Sequence, residues 1–111
     1  MTEITKFEEQ ILLSVWKLGE NAYGISIYNY IKEMTGRKLA IGGIYFPLER
    51  LVKKRYLDAI KGEPTPIRGG QSKRYYSLTK RGVEALLKAR ETQTAFWKDL
   101  PDIEHLKETV K

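Results

Sequence analysis

The chain of 111 residues has no cysteine and a single histidine, His105. Without thiols it can form neither disulfides nor thiolate metal sites, and this absence is typical of a reducing compartment. Its apolar runs are far shorter than the roughly 20 residues that a membrane-spanning helix requires, and its first residues show no signal-peptide pattern. We therefore predict a cytoplasmic protein without a membrane partner.

Residue patterns that support catalysis are also missing. His105 lies in a polar C-terminal stretch, and the sequence has neither a glycine-rich loop of the Walker type nor paired carboxylates with an evident pocket. A nuclease would need clustered metal-binding acids, and the basic part of the chain excludes them. The sequence predicts that the protein is not an enzyme and uses no metal ion or cofactor.

Acidic residues are scarce in one third of the chain. Residues 50–81 contain ten of the 20 Lys and Arg residues but only two of the 14 acidic residues. This segment therefore carries a formal charge of +8, whereas the whole chain carries +6. Positive charge concentrated in one region of an otherwise balanced protein is typical of a surface that binds a polyanion.

Apolar periodicity and capping residues predict a mainly helical chain with one hairpin. Thr5 and Glu8 form a capping box before the first helix. The buried face of the second helix is predicted to contain Tyr23, Ile27, Tyr28, Ile31 and Met34. The predicted elements are a helix over 6–18, a helix capped by Asn21, a brief strand over 38–41, a helix from about 43–44, strands over 57–61 and 73–78, a helix from the Thr79 cap to about 99, and a short segment after Pro101.

The run of residues 69–82 (GGQSKRYYSLTKRG) is the most informative segment. Its first two glycines allow a tight turn, and Thr79 can cap the helix that follows. The strand between them begins with Lys73 and Arg74, so it is suited to lie along a phosphate backbone. An ordinary solvated hairpin is the alternative.

The order of helix, helix, short strand, helix and hairpin is that of a winged helix-turn-helix, a mainly α (α+β) fold. In this arrangement the third helix is the recognition helix and the hairpin is the wing. We predict a winged-helix DNA-binding domain over residues 1–78 and a long C-terminal dimerisation helix over residues 79–111, packed as one compact unit.

Four short motifs make this interpretation more specific. They are ILL at 11–13, Tyr23-Gly24 at the start of helix two, GIYFPLERL at 43–51 and RYYSLTKRG at 74–82. In these motifs and their spacing, the chain resembles the PadR-like family of winged-helix transcriptional regulators over residues 8–90. Two positions depart from the family pattern and bear on the shape of the recognition helix. Phe46 stands where the family usually has proline, and Arg55 stands where it favours a glycine C-cap, so Arg55 is expected either to take a left-handed conformation at a cost of roughly 1 kcal/mol or to end the helix differently.

The candidate DNA-binding residues lie on helix three and the wing. The resemblance implies that Tyr45 contacts a phosphate through its hydroxyl, with packing against the hairpin as the alternative. Arg50 can read guanine through a bidentate pair, but a phosphate contact or an ion pair with Glu49 or a neighbouring acid also remains open. The wing cations are expected to hold phosphates or enter the minor groove. The full set is Tyr45, Phe46, Arg50, Lys53, Lys54, Arg68, Ser72, Lys73 and Arg74.

Helix four has two apolar faces, which is more than a small core can cover. We predict that one face packs on helix one and the other on a second subunit, through Val83, Leu86, Leu87, Phe96, Trp97 and Leu100. The resemblance adds that the C-terminal helix forms the dimer in this family. It also implies that some compact members bind flat aromatic compounds between aromatic side chains at the dimer interface. The candidates for such a site here are Trp16, Phe96 and Trp97, with plain hydrophobic packing as the alternative.

Together these observations predict a homodimeric transcriptional repressor that binds a pseudo-palindromic operator in double-stranded DNA, with a small aromatic compound as a candidate effector. Two other functions remain open. A winged helix can serve purely as a protein-interaction module, which would show no salt-dependent binding to duplex DNA. It can also bind RNA, which competition between duplex and single strands would reveal.

Overall fold

The computed structural model describes residues 3–62 and 73–110. Its helices and strands are, in chain order, α1 (Lys6–Leu18), α2 (Gly24–Thr35), α3 (Tyr45–Lys53), β1 (Leu57–Lys61), β2 (Arg74–Leu78), α4 (Lys80–Trp97) and α5 (Leu106–Thr109). Short 3₁₀ turns lie at Gly19–Asn21, Ile41–Ile44 and Ile103–His105. The arrangement confirms the predicted winged helix-turn-helix fold.

Two helix starts follow directly from local sequence. Thr5 Oγ1 accepts a hydrogen bond from the Glu8 N–H at 3.1 Å, and Glu8 Oε1 accepts one from the Thr5 N–H at 2.8 Å, so the predicted capping box is confirmed. Thr79 Oγ1 accepts from the Gly82 N–H at 3.0 Å and caps α4 as predicted. Each cap satisfies a backbone donor that the helix itself leaves free.

The prediction for α2 was wrong in two details. Asn21 belongs to the 3₁₀ turn that follows Gly19, and the cap position is Tyr23, whose N–H donates to Ser26 Oγ at 2.9 Å. The Ser26 hydroxyl therefore binds the N–H of the cap residue from the third position of the helix, and Asn21 does not cap α2. Met34 is 66% exposed, whereas Ile27 and Ile31 of α2 are buried and Tyr28 packs partly buried against the core.

The brief strand predicted at 38–41 is also absent. Residues 38–40 have no regular structure, and Ile41 begins a 3₁₀ turn that leads into α3. An isolated strand is not stable without a partner, and β1 and β2 pair with each other in the described part of the chain.

The wing is an antiparallel pair with Leu57 opposite Leu78 and Lys61 opposite Arg74. Its inner strand is tied to the segment before α2, because the Tyr76 N–H donates to the Ala22 carbonyl at 2.8 Å. The hairpin is therefore fixed to the helical body at its base.

One core forms where α1, α2, α3 and the hairpin meet. Each helix contributes a stripe at helical spacing, and the hairpin contributes the residues on one face of its pleat. The fully or nearly fully buried apolar residues are Ile11, Leu12, Val15, Ala22, Ile27, Ile31, Ile44, Leu48, Leu51, Tyr56, Leu57, Tyr76 and Ala85. Beyond Arg90 the rest of α4 is exposed, and no helix among the described residues has the length and apolar character to cross a membrane.

Arg55 adopts the left-handed conformation, with φ at 66°. The residue follows Lys54, the C-cap of α3, and it reverses the chain into β1 as a left-handed glycine would do. The first of the two predicted alternatives is thus the correct one.

Replacing Arg55 by glycine should raise the free energy of unfolding by about 1 kcal/mol, because a left-handed backbone strains any residue that carries a Cβ. The control is Lys53→Gly, in ordinary helical geometry, which should lower it by about 0.5–1 kcal/mol. Urea unfolding followed by circular dichroism measures both. A destabilised Arg55→Gly variant would show that contacts of the arginine side chain outweigh the strain.

Candidate nucleic-acid interface

The orientation of α3 decides which of its side chains face outward. Ile44, Leu48 and Leu51 are buried, so the rest of the helix surface points away from the core. Phe46 is 81% exposed, more than any other large apolar residue that the structure describes. Pro47 is buried at the third helical residue, where its missing N–H costs no helical hydrogen bond.

Tyr45 packs on the first turn of α2. A Cβ placed on Gly24 would lie 2.6 Å from Tyr45 Cε1 and 2.8 Å from its hydroxyl oxygen. Glycine at position 24 is therefore required for the ring to occupy this place. Tyr45 remains partly exposed and lines a cleft of about 270 Å³ together with Tyr23, Lys73 and Arg74. Tyr45 therefore packs on α2 and also faces the hairpin, so packing against the hairpin, the alternative to a phosphate contact, describes only some of its contacts.

The wing cations lie against aromatic and acidic partners. Lys73 Nζ lies 3.8 Å from the centroid of the Tyr23 ring, a cation–π geometry, and Tyr23 meets Tyr75 edge to face with 5.7 Å between centroids. Arg74 Nη1 lies 2.9 Å from Glu49 Oε1 on α3. Two of the predicted wing residues, Arg68 and Ser72, lie outside the described residues.

Glu49 connects α3 to the wing through a second hydrogen bond. Burial is the main cause that raises the pKa of the Tyr76 phenol, and the Glu49 charge and hydrogen bond raise it further, while Arg74 opposes the shift. Tyr76 is therefore protonated at neutral pH and donates to Glu49. The Glu49 carboxylate thus faces two partners on β2, which sets the position of the wing relative to α3.

The basic residues near the end of α3 differ in their surroundings. Arg50 Nε lies 3.8 Å and Lys54 Nζ 3.6 Å from Glu8 Oε2 on α1. The ion pair with a neighbouring acid, one of the alternatives for Arg50, is therefore present, and the acid is Glu8. Lys53 is exposed and pairs with no acid in the part of the chain that the structure describes.

Sequence reasoning missed three residues of this surface. It places Glu8 only in the capping box, Gly24 only at the start of α2, and Tyr23 at that start and on the buried face of the helix. The Tyr23-Gly24 pair offered a usable signal, since a glycine at a helix start often marks the close approach of another group. Nothing in the sequence marks Glu8 as a partner of residues more than 40 positions away.

Helix α4 leaves most of its predicted interface uncovered within one subunit. Val83, Leu87, Phe96, Trp97 and Leu100 are exposed, whereas Leu86 is half-buried. The helix packs on α1, and its residue Ala85 is buried.

An apolar groove of about 660 Å³ runs between α1 and the first half of α4. Trp16, whose side chain is 71% exposed, lines it with Leu13, Val83 and Leu87. Phe96 and Trp97 are not part of this groove, because Trp97 lies about 15 Å further along the helix axis than Leu87. The three predicted ligand-binding aromatics are therefore not assembled within one subunit.

Known proteins that resemble this chain share its winged-helix fold. The sequence model of the transcriptional regulator PadR-like family matches residues 12–88, and no curated protein matches the chain. RosR of H. salinarum is 26% identical with a TM-score of 0.64, over 96% of this chain and 89% of that one. A PadR family transcription regulator of Clostridium difficile R20291 is 25% identical with a TM-score of 0.59, over 81% and 90% of the two chains. A PadR-like transcriptional regulator of Bacillus cereus shares the fold at 19% identity, with a TM-score of 0.63 over 81% and 82%.

Proposed function

Since the chain belongs to the PadR-like family of transcriptional regulators, which are not enzymes, we propose that it is a cytoplasmic repressor that binds double-stranded DNA as a homodimer. One observation carries the proposal: the exposed side of α3 and the basic start of β2 form a continuous surface joined by the Glu49–Arg74 ion pair. In this proposal α3 enters the major groove, and the wing follows the adjacent backbone.

The residues divide into positioning and reading groups. Tyr45, Lys53, Lys54 and Lys73 contact phosphates, which fix orientation but carry no sequence information. Arg50 reads a base, because a guanidinium can form a bidentate pair with guanine. Phe46 lies on the same exposed side and is suited to contact a thymine methyl group.

The dimer in this proposal forms through the exposed side of α4. A monomer that leaves Val83, Leu87, Phe96 and Trp97 in water exposes a large apolar surface, and such surfaces mark interaction sites. A two-fold dimer matches a pseudo-palindromic operator with half-sites about one helical turn apart.

A planar aromatic effector is the second part of the proposal. Phe96 and Trp97 are exposed near the end of α4, and a two-fold axis near them would bring four such rings together. Trp16 lines the groove at the other end of α4, so it reaches this cluster only if the partner subunit places it there.

Selection of bound duplexes from a random-sequence library tests the function. We expect the protein to enrich a pseudo-palindromic sequence, and the selected duplex to compete better than its scrambled version. Single-stranded and duplex RNA serve as competitors. Preferential displacement by RNA would favour an RNA-binding function, and a lack of binding to every nucleic acid would favour a protein-interaction module.

Replacing both Lys73 and Arg74 with alanine should weaken binding to all duplexes alike. The plot of log affinity against log salt should also become shallower by about one unit for each phosphate that the wing no longer neutralises. Fluorescence anisotropy at several salt concentrations measures both effects, with Lys88→Ala on the exposed side of α4 as the matched control. A change in sequence preference at an unchanged slope would argue against a positioning role for the wing.

A further inference from the structure

Glu8 is a buried acid that faces the recognition helix. Its residue surface is only 4% exposed, and a buried carboxylate is costly unless it is paired. The two cations within 4 Å of it, Arg50 and Lys54, both belong to α3 or its C-cap. The acid therefore ties the start of α1 to the end of the recognition helix.

The two carboxylate oxygens have separate tasks. Oε1 accepts the Thr5 N–H at 2.8 Å and completes the capping box, whereas Oε2 faces Arg50 Nε and Lys54 Nζ. A capping box accepts glutamine as readily as glutamate. The negative charge is therefore needed only for the second task, at α3.

The contact with Arg50 leaves the far side of the guanidinium free. Glu8 approaches Nε, and the Arg50 side chain is still 55% exposed. A guanidinium is a planar fork, so a partner on one edge fixes the direction of the other. An arginine fixed in this way loses less side-chain freedom when it meets a base.

We infer that Glu8 is a positioning residue for sequence reading, which holds Arg50 in the orientation that meets a base and weakens the phosphate contact of Lys54 by pairing with it. This inference rests on the proposed function, because it requires that α3 reads DNA. The carboxylate does not touch DNA and acts only through the two cations.

Glu8→Gln isolates the charge while preserving the capping hydrogen bond. Without the carboxylate, Arg50 loses its orientation and is free to contact phosphates, and Lys54 binds its phosphate more strongly. We expect the specificity ratio, defined as affinity for the selected duplex over affinity for its scrambled version, to fall about tenfold. Affinity for the scrambled duplex should rise, and its salt slope should steepen by about one unit for each additional phosphate that is neutralised.

Glu9→Gln is the matched control. It removes the same charge from the next residue, whose partner is Lys6 at 3.3 Å on the same helix. We expect it to keep the wild-type specificity ratio, so an equal fall in both variants would overturn the inference in favour of a general charge effect.

Glu8→Asp separates position from charge and provides a second variant if Glu8→Gln does not fold. The shorter side chain keeps the negative charge but withdraws it from Arg50. We expect a reduced specificity ratio without tighter binding to the scrambled duplex. A wild-type ratio for Glu8→Asp would mean that only the local charge matters, and it would overturn the positioning role.

A double-mutant cycle distinguishes an action through Arg50 from a general structural effect. Arg50→Ala alone should lower the specificity ratio about tenfold or more, and adding Glu8→Gln to it should lower the ratio no further. Independent, multiplicative effects would overturn the inference. A wild-type protein that selects no sequence overturns the operator proposal as well, whereas a preference retained in full by Glu8→Gln overturns only this inference.

Discussion

Binding to duplex DNA is expected to weaken by about three to five orders of magnitude as the salt concentration rises from about 50 mM to about 200 mM. The reason is counterion release: each phosphate neutralised by Lys or Arg frees a condensed cation, and added salt opposes that release. Lys53, Lys54 and Lys73, taken twice in a dimer, supply six cations for such contacts, and Arg74 brings the number to eight. Six to ten contacts correspond to a slope of log affinity against log salt of about −5 to −9.

Isothermal titration or anisotropy over a salt series, with a duplex of fixed sequence, measures this slope. The Glu49–Arg74 ion pair narrows the expected range of this slope. If Arg74 stays paired with Glu49 on DNA, the slope should lie near the shallow end of the range, and Glu49→Gln should steepen it. A flat salt dependence would contradict duplex binding through this surface.

Replacing Trp97 with alanine should weaken self-association by about two to four orders of magnitude, because removing a tightly packed tryptophan costs about 3–5 kcal/mol. Trp97 is 51% exposed in the single subunit, so its burial depends on a second copy. Analytical ultracentrifugation across a concentration series gives the dissociation constant. Met34→Ala, which truncates an exposed apolar side chain on α2, is the control and should leave association unchanged.

The same variant also tests the aromatic effector. If Trp97 lines an open cavity between subunits, its loss should change self-association little. Quenching of tryptophan fluorescence by a planar cationic dye should then disappear. A wild-type protein that stays monomeric at tens of micromolar would contradict the dimer and the symmetric operator. A dimer whose fluorescence no planar dye alters would contradict only the effector.

Local rules were enough to predict much of the fold. The bounds of α1 and the Thr79 cap depend on residues within a few positions of one another, and the paired strands β1 and β2 are consecutive in the chain. The prediction failed where several local solutions compete. Asn21 has the residue type of a cap, but it belongs to the 3₁₀ turn after Gly19, and Tyr23 takes the cap position instead.

The sequence was enough to predict which residues belong to the candidate site, but not which of them pair with one another. The charge distribution located the basic surface, and the stripe of Ile44, Leu48 and Leu51 showed which side of α3 faces outward. The partners of the cations follow from tertiary packing. The contact between Glu8 and Arg50 joins residues 42 positions apart, and it exists only because α1 crosses α3 at this point.

The attachment of α4 to the wing has a mechanical consequence. The Thr79 hydroxyl donates to the Arg55 carbonyl at 2.6 Å, and its N–H donates to the Tyr56 carbonyl at 3.2 Å. A side chain at Gly82 would also collide with Tyr56. The first residues of α4 are thus fixed to the winged-helix body, and the helix extends about 27 Å from this attachment. If two subunits join near its far end, a tilt of about 10° there moves each copy of α3 by about 5 Å along the DNA. The half-sites of a symmetric operator are about 34 Å apart, so such a tilt changes the spacing that the dimer fits.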